Sequence, residues 1–495
     1  MTRSILIRLA LTSASLFLVA TSAAPGSAAP QQKATAEPGQ SAQAGLTWSD
    51  ASRASLDSVL GKRADHGLDR VDFLGGPSDA EQPAARDARY SRAALGFASA
   101  LARGQVDPTK LHDVYTLGRP NPDLQTGLRK ALSQGTLDQW LSGLAPQDDE
   151  YLRLSKAYLA NRDTAGSAQE SQPIASSASI QVGKSDPRVA EIARQLVDDG
   201  YLSALPDGAG ASPMTYTQTI ADAIKALQSD YGIAADGVFG PDTLKVLNMG
   251  PSDRARALAV ALERRRWLTR TPPATRIDVN TASAQMRYWR DGKLVDERRV
   301  IVGQAGQETP MLGSPIFRLV ANPDWTVPKS IQNGEMAKLG ASYLQAHNMV
   351  MRDGWIVQQP GPENALGLVK FDMANQHAIY LHDTSSPELF NRSQRHLSHG
   401  CVRVYDALGF ADMLAEQEGV GEKWQQARSS GEKTFVKLPR EIPVRLIYGN
   451  VFVDDADRVV FRTDPYGWNE RVAKALGFAG ADRRAAKAQA VDVGP

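Results

Sequence analysis

Apolar positions along this chain follow two different spacings, and the change between them falls near residue 274. Before it, apolar side chains recur every three or four residues, as on helices with one buried stripe. Ser49-Asp50 can cap a helix carrying Leu56, Val59 and Leu60 on one face. Further helices are predicted over about 85–103, 123–134, 136–143 and 149–160. Asp186-Pro187 opens another, with Val189, Ile192, Ala193, Leu196 and Val197 on its apolar face and Gly200 closing it. Ile220, Ala223, Ile224, Leu227 and Tyr231 mark the next, and Pro241 starts one through Leu244 and Leu247. After 274 the period is two: Ala284, Met286 and Tyr288 alternate with Gln285 and Arg287, and Asp291-Gly292 is a hairpin turn before a strand over Val295 to Val302. Strands are also predicted near 315–320, 355–358, 367–372, 378–382, 443–448 and 458–462, with a helical patch at about 405–418. Residues 330–350 interrupt the strands with a helical or irregular insertion, a candidate lid.

Polar, low-complexity stretches supply the boundaries. Residues 25–46 are rich in Pro, Ala, Gln and Gly, and 163–184 in Ser, Ala and Gln, which are compositions of flexible segments. The chain then divides into a signal peptide (1–29), a tether (30–46), a helical scaffold (47–162), a linker (163–184), a three-helix module (185–250), a connecting helix (251–273) and a mainly-β domain (274–450). A C-terminal piece (451–480) is expected to pack on the catalytic or scaffold domain, ahead of a frayed tail (481–495). The expected fold class is multidomain α+β, with the lid inserted in the β domain.

Arg3 and Arg8 precede an apolar run from Leu9 to Ala20, and small residues follow. That order is the mark of a secretory signal peptide. The run is shorter than the roughly 20 residues needed to span a bilayer, although an uncleaved anchor is the alternative. The formal net charge of +1 gives no broad basic field for nucleic acid.

Export changes the meaning of the single cysteine, Cys401. An exported chain normally pairs its cysteines, so an odd one is a reactive thiol or an intermolecular link; an inert buried cysteine is the bland reading. Four of the seven histidines, His377, His382, His396 and His399, lie within 25 residues of it. A neighbouring imidazole can take the thiol proton and supply the nucleophilic thiolate. Ile379 to Thr384 reads as a strand ending in a polar turn, and Ser398-His399-Gly400-Cys401 as a loop leading into Val402-Arg403-Val404. Zinc is the chemical rival, with His382, His396, His399 and Cys401 as ligands. Neither His-Glu-x-x-His nor Cys-x-x-Cys occurs, so no metal and no cofactor are expected.

His382-Asp383-Thr384 followed by Ser398-His399-Gly400-Cys401-Val402-Arg403 resembles the signature of the L,D-transpeptidases with a YkuD-type catalytic domain. Residues 322–328 and 361–367, Asn-Pro-Asp-Trp-Thr-Val-Pro and Gly-Pro-Glu-Asn-Ala-Leu-Gly, resemble the large YcbB-like subgroup, which adds a helical scaffold, a peptidoglycan-binding module and a lid. The three-helix module resembles that binding module through Tyr231-Gly232-Ile233 and Asp236-Gly237-Val238-Phe239-Gly240-Pro241. Smaller family members carry Gly and Asn where this chain has Asp383 and Arg403.

The resemblance implies Cys401 as nucleophile and His382 as general base, with His399 the alternative base. It implies that the amides of Gly400 and Cys401 stabilise the oxyanion. Arg403 would hold a substrate carboxylate or brace the loop; Tyr380, Ser398, Trp325 and Asn364 are the other candidate substrate contacts. The implied partners are peptidoglycan stem peptides, a tetrapeptide donor and a diaminopimelate amine acceptor, together with other wall-synthesis proteins. The implied activity is a periplasmic 3→3 cross-link through a Cys401 thioester with release of D-alanine. Alternatives are another acceptor (a lipoprotein lysine, a D-amino acid or water) or a non-catalytic wall-binding protein.

Overall fold

The computed structural model describes residues 46–76, 81–165, 173–206 and 213–478. The expected signal peptide, tether and frayed tail lie outside them. Among the described residues, no helix is long and apolar enough to cross a membrane.

Helices Asp50–Gly61, Pro83–Arg103, Leu124–Gln134, Leu137–Ser142 and Asp149–Thr164 occupy the stretches that the period of 3.6 marks. Ser49 caps the first, accepting the Ser52 amide on its hydroxyl. These helices do not close a core alone. Pro251–Trp267, expected as a connector, runs through their middle, and Leu258, Ala259, Val260, Leu262 and Trp267 are fully or almost fully buried there. Its Glu263 and Arg266 are both completely buried and pair at 2.6 Å. A charge taken from water is tolerated when it is paired and hydrogen-bonded, and Glu263 also accepts the Val106 amide and the Trp267 indole.

The three-helix module is built from Val189–Asp198, Gln218–Tyr231 and Pro241–Leu247. Half of the expected linker belongs to it. Ile174 and Ile180 are buried in the module's core, and Ile180 bridges Phe239 in antiparallel fashion.

The β domain is a nine-stranded sheet whose order is His396–Ser398, Lys293–Gly303, Val402–Val404, Leu381–His382, Val369–Met373, Leu312–Ala321, Thr434–Ile447, Arg276–Asn280 and Gln285–Arg290. Gln285–Arg290 also pairs with Lys293–Gly303, so all but the edge strand His396–Ser398 close on themselves. Closure leaves few open edges. Its interior is a separate core that includes Met286, Val300, Leu319, Phe371, Leu381 and Val402.

The insertion is larger than 330–350. Trp325–Thr326, Trp355–Gln358 and Met349–Arg352 form their own three-stranded sheet beside helices Lys329–Asn333 and Ala341–Ala346. The strand near 355–358 therefore belongs to the insertion and not to the main sheet. A small core of Trp325, Val327, Ile331, Met336, Met349, Ile356 and Leu366 holds it. The C-terminal strands Val451–Val453 and Val459–Phe461 and helix Asn469–Ala475 pack mainly into the scaffold's core through Val451, Tyr466, Val472 and Leu476.

Candidate functional site

Strands Leu381–His382 and Val402–Val404 lie side by side and parallel, with Leu381 opposite Val402 and His382 opposite Arg403. The Val402 amide donates to the Tyr380 carbonyl at 3.1 Å, which extends the pairing to Tyr380 and Cys401. Leu381 and Val402 point into the main core. Alternation in the strand then turns Tyr380, His382, Cys401 and Arg403 to the opposite face. The 19 residues between His382 and Cys401 in sequence (401 − 382) collapse to a diagonal between neighbouring strands.

Cys401 is 8% exposed, at the wall of a cleft of about 520 Å³. Its thiol points at the Ala378 carbonyl, 3.6 Å away. Burial pushes the thiol's pKa up, and the Tyr380 backbone and hydroxyl oppose that rise. His382 lies behind the cleft and is fully buried. Its Nδ1 is 2.5 Å from the Asp383 carbonyl, a bond only an N–H can make, so the lone pair sits on Nε2. Burial, and secondarily the Arg403 charge, hold this imidazole well below its usual pKa. It is neutral at pH 7, and the same burial opposes the positive charge that taking a proton would create. Asp383 also accepts the Leu368 amide on its carboxylate at 2.9 Å, fastening the chain where it leaves the insertion.

His399 faces the cleft from the other side. Its Nε2 is 2.7 Å from the Glu335 carboxylate, a residue of the insertion 64 positions away. The Nε2 proton is directed at Glu335, so the lone pair of a neutral His399 sits on Nδ1. His396 turns away, with Nε2 2.8 Å from the Thr281 carbonyl, and burial lowers it to about 4. His377 is exposed at the cleft rim.

Four sequence expectations need correction. Gly400 takes φ +117°, a conformation open mainly to glycine, but its amide donates to Ser398 Oγ at 3.1 Å and does not point at the cleft. Ser398 is fully buried and also donates to the Cys401 carbonyl at 2.6 Å; it shapes the loop and touches no substrate space. Arg403 is 1% exposed and does not line the cleft. Asn364 is 1% exposed and ties the insertion's closing turn, donating to Gln358 and Gln359 carbonyls and accepting the Leu366 amide. Trp325 and Tyr380 do line the cleft, with Cys401 and His399.

Other residues left no local mark in sequence. Thr309 Oγ1 donates to the Gly400 carbonyl and accepts the Gly303 amide, both at 2.8 Å. Tyr466 braces the same turn, donating to the Gly303 carbonyl at 2.7 Å and accepting the Thr309 amide at 3.3 Å. The cleft's charged wall is Lys370, Asp372 and Arg318: Asp372 pairs with both cations, at 2.9 and 2.5 Å, and Lys370 Nζ lies 4.1 Å over the Tyr380 ring. Among the described residues, no group of His, Cys, Asp or Glu is arranged to hold a metal ion.

Residues 274–435 match the family described as L,D-transpeptidase catalytic domain. Residues 40–157 match a family described as a scaffold domain, and 185–247 one described as "putative peptidoglycan binding domain". A Haemophilus influenzae protein named "Putative L,D-transpeptidase" is 32% identical over 224 residues, which cover 40% of this chain and 45% of that protein. Solved L,D-transpeptidases from Xylanimonas cellulosilytica (17% identity, 55% of this chain, 98% of that chain, TM-score 0.20) and Stackebrandtia nassauensis (15%, 54%, 94%, 0.23) also match.

Proposed function

We propose that this protein is an exported enzyme of the periplasm that joins peptidoglycan stem peptides by 3→3 cross-links through a Cys401 thioester. The observation that supports it best is the fixed tautomer of His382 one strand from the thiol: Nδ1–H is spent on the Asp383 carbonyl, and Nε2 has no hydrogen-bond partner among the described residues. That is the state required of a general base.

The chemistry runs in two balanced halves. The Cys401 thiol gives its proton to His382 as sulfur attacks the carbonyl carbon of the third stem residue. The bond to the terminal D-alanine breaks, and the proton leaves with its amine. The thioester keeps the energy of the broken amide, so no nucleotide is consumed. An acceptor amine, the side chain of a second stem's diaminopimelate, then attacks the thioester. Sulfur leaves and recovers a proton from that amine by way of His382. Both thiol and imidazole are neutral before reaction, so the thiolate forms only as the bond does.

The charged wall suits such a donor. Lys370 and Arg318 can meet stem carboxylates, and Asp372 an ammonium group, while Trp325 and Tyr380 cover the peptide. The insertion over the cleft would exclude water and favour transfer over hydrolysis. The N-terminal signal pattern and the wall substrate support the periplasmic reading.

Incubating the purified protein with disaccharide-tetrapeptide and weighing the products tests this. A dimer lighter by one D-alanine is the expected product. A tripeptide alone would replace the cross-linker with a carboxypeptidase, and any product from Cys401→Ala would overturn the thioester route. A carbapenem or thiol-probe adduct on Cys401 would exclude a non-catalytic wall-binding protein.

A further inference from the structure

A second cavity, of about 400 Å³, lies where the β domain meets the scaffold and shares no lining residue with the cleft at Cys401. Strand alternation builds one of its walls. Ile277 and Val279, with Met286 and Tyr288, belong to the β core, so the residues between them face outward. They stand in cross-strand pairs: Arg276 opposite Trp289, Asp278 opposite Arg287 and Asn280 opposite Gln285. All six line the cavity. Helix Pro251–Trp267 and the turn after it supply another wall, through Arg264, Leu268 and Arg270. Tyr448 and Phe452 complete it from the C-terminal side.

Most of the guanidinium groups here are neutralised. Arg265 pairs with Asp148 and Glu150, Arg276 and Arg445 share Asp278, and Arg287 pairs with Glu297 and Asp455. Arg264 and Arg270 are different: neither makes an ion pair among the described residues. Arg264 is 4% exposed, and its Nη1 donates only to amide oxygens, of Asn450 at 3.3 Å and Asn469 at 2.6 Å. Its Nε and Nη2 have no hydrogen-bond partner among the described residues. The group lies 4.8 Å over the Tyr448 ring, which lines the same cavity. Asp464 exerts a favourable field on it, but that carboxylate is taken up by the Tyr448 hydroxyl and the amides of Trp468 and Asn469. Arg270 donates to the backbone carbonyls of Leu101, Ala102, Leu144, Arg266 and Leu268. Burial lowers the pKa of both groups. A guanidinium stays protonated all the same, and a buried charge is costly unless an opposite charge answers it.

We propose that this cavity binds a small oxyanion, a carboxylate or phosphate compound, whose charge answers Arg264 and Arg270. The volume falls in the range of small-molecule sites, roughly 300–1,000 Å³. Trp289, Leu268 and Phe452 offer apolar surface to the carbon part of such a ligand. Its anionic end would join the scaffold's central helix to the outer face of the β domain. A ligand that binds only the folded chain raises its stability. The site is independent of the chemistry at Cys401.

The test uses the full chain at constant ionic strength, with inorganic phosphate and citrate as probes and chloride as the control. Calorimetry should show one site, and Tm should rise with probe concentration. Gln285→Glu places a carboxylate on the cavity wall without removing a cation, and Arg264→Gln removes the buried charge. Each should weaken binding by about tenfold, the worth of one charge-assisted contact. Binding of phosphate alone supports a phosphate ligand, and binding of citrate alone an organic acid. Hydrogen exchange on the unsubstituted chain should slow over 264–289 when the probe is added, and with Gln285→Glu it keeps the test sound if Arg264→Gln misfolds. A Tm that neither probe raises beyond chloride overturns the proposal. So does binding that Gln285→Glu leaves unchanged, because the anion would then meet another surface.

Discussion

The loop that carries Cys401 and the insertion above it are held by opposite means. The loop is tied from several sides: Ser398 within it, Thr309 and Tyr466 beneath it, and the parallel pairing of Val402 with Leu381. The insertion has a small core of its own and leaves Val350, Met351 and Trp355 exposed. A polar link from it to the loop of Cys401, among the described residues, is Glu335 on His399. A part fixed by many bonds holds geometry, and a part fixed by few can open for a substrate. The contrast shows where preorganisation and where motion are to be sought.

The strongest way to break this picture is Cys401→Ala, which should abolish every product in the mass-spectrometric assay while leaving Tm nearly unchanged. His382→Ala should lower turnover by about 100- to 10,000-fold, the usual worth of a placed general base, whereas His399→Ala should cost far less; equal losses would undo the division between the two imidazoles. Tyr466→Phe removes a buried hydroxyl that donates to Gly303 and accepts from Thr309. Thermal unfolding should show a loss of about 1–3 kcal/mol, with lower turnover although no substrate atom is touched. Glu335→Ala leaves the loop's own bonds intact and loosens only the insertion. Its expected signature is a severalfold larger share of hydrolysis over cross-linking, with rescue by Glu335→Gln; an unchanged product ratio counts against the latch.

The smallest effect is on acid stability. His382 and His396 fold with lowered pKa values, so the unfolded chain binds more protons than the folded one between about 4 (the folded value of His396) and the usual 6.5. Stability therefore rises with pH through that window and levels off above it. Thermal melts from pH 7 to pH 5 should show a falling Tm, and a flat profile would contradict neutral burial of these rings.

Much of the site was legible because its chemistry sits in contiguous residues. Six of them, Ser398 to Arg403, carry the signature, and a strand end supplies His382. What misled was burial. Arg403 stands on the same strand face as Cys401, but it is 1% exposed and does not line the cleft. Asn364 looks like a polar group in a glycine-rich loop, yet its amide is consumed by the turn that closes the insertion. Helices of the scaffold were readable from their spacing, while the central role of Pro251–Trp267 was not. Its stripe is nearly all round, which marks a helix surrounded by others, and three arginines near its end disguise it. The insertion's strand Met349–Arg352 has no alternation, since three of its four residues are exposed. Thr309 and Tyr466 could not be found by any local pattern, because 157 residues separate them in sequence.

That last separation has a consequence for how the protein comes into being. Tyr466 lies 65 residues beyond Cys401 (466 − 401) and 31 beyond the end of the catalytic-domain match (466 − 435). A ribosome therefore makes the thiol well before it makes the brace under the thiol's loop. A chain in transit, or one cut after the catalytic domain, would possess the whole signature with its glycine turn unsupported. Under the proposed mechanism, full bracing of the Cys401 loop is a late event, tied to the synthesis of Tyr466 and not to that of the motif.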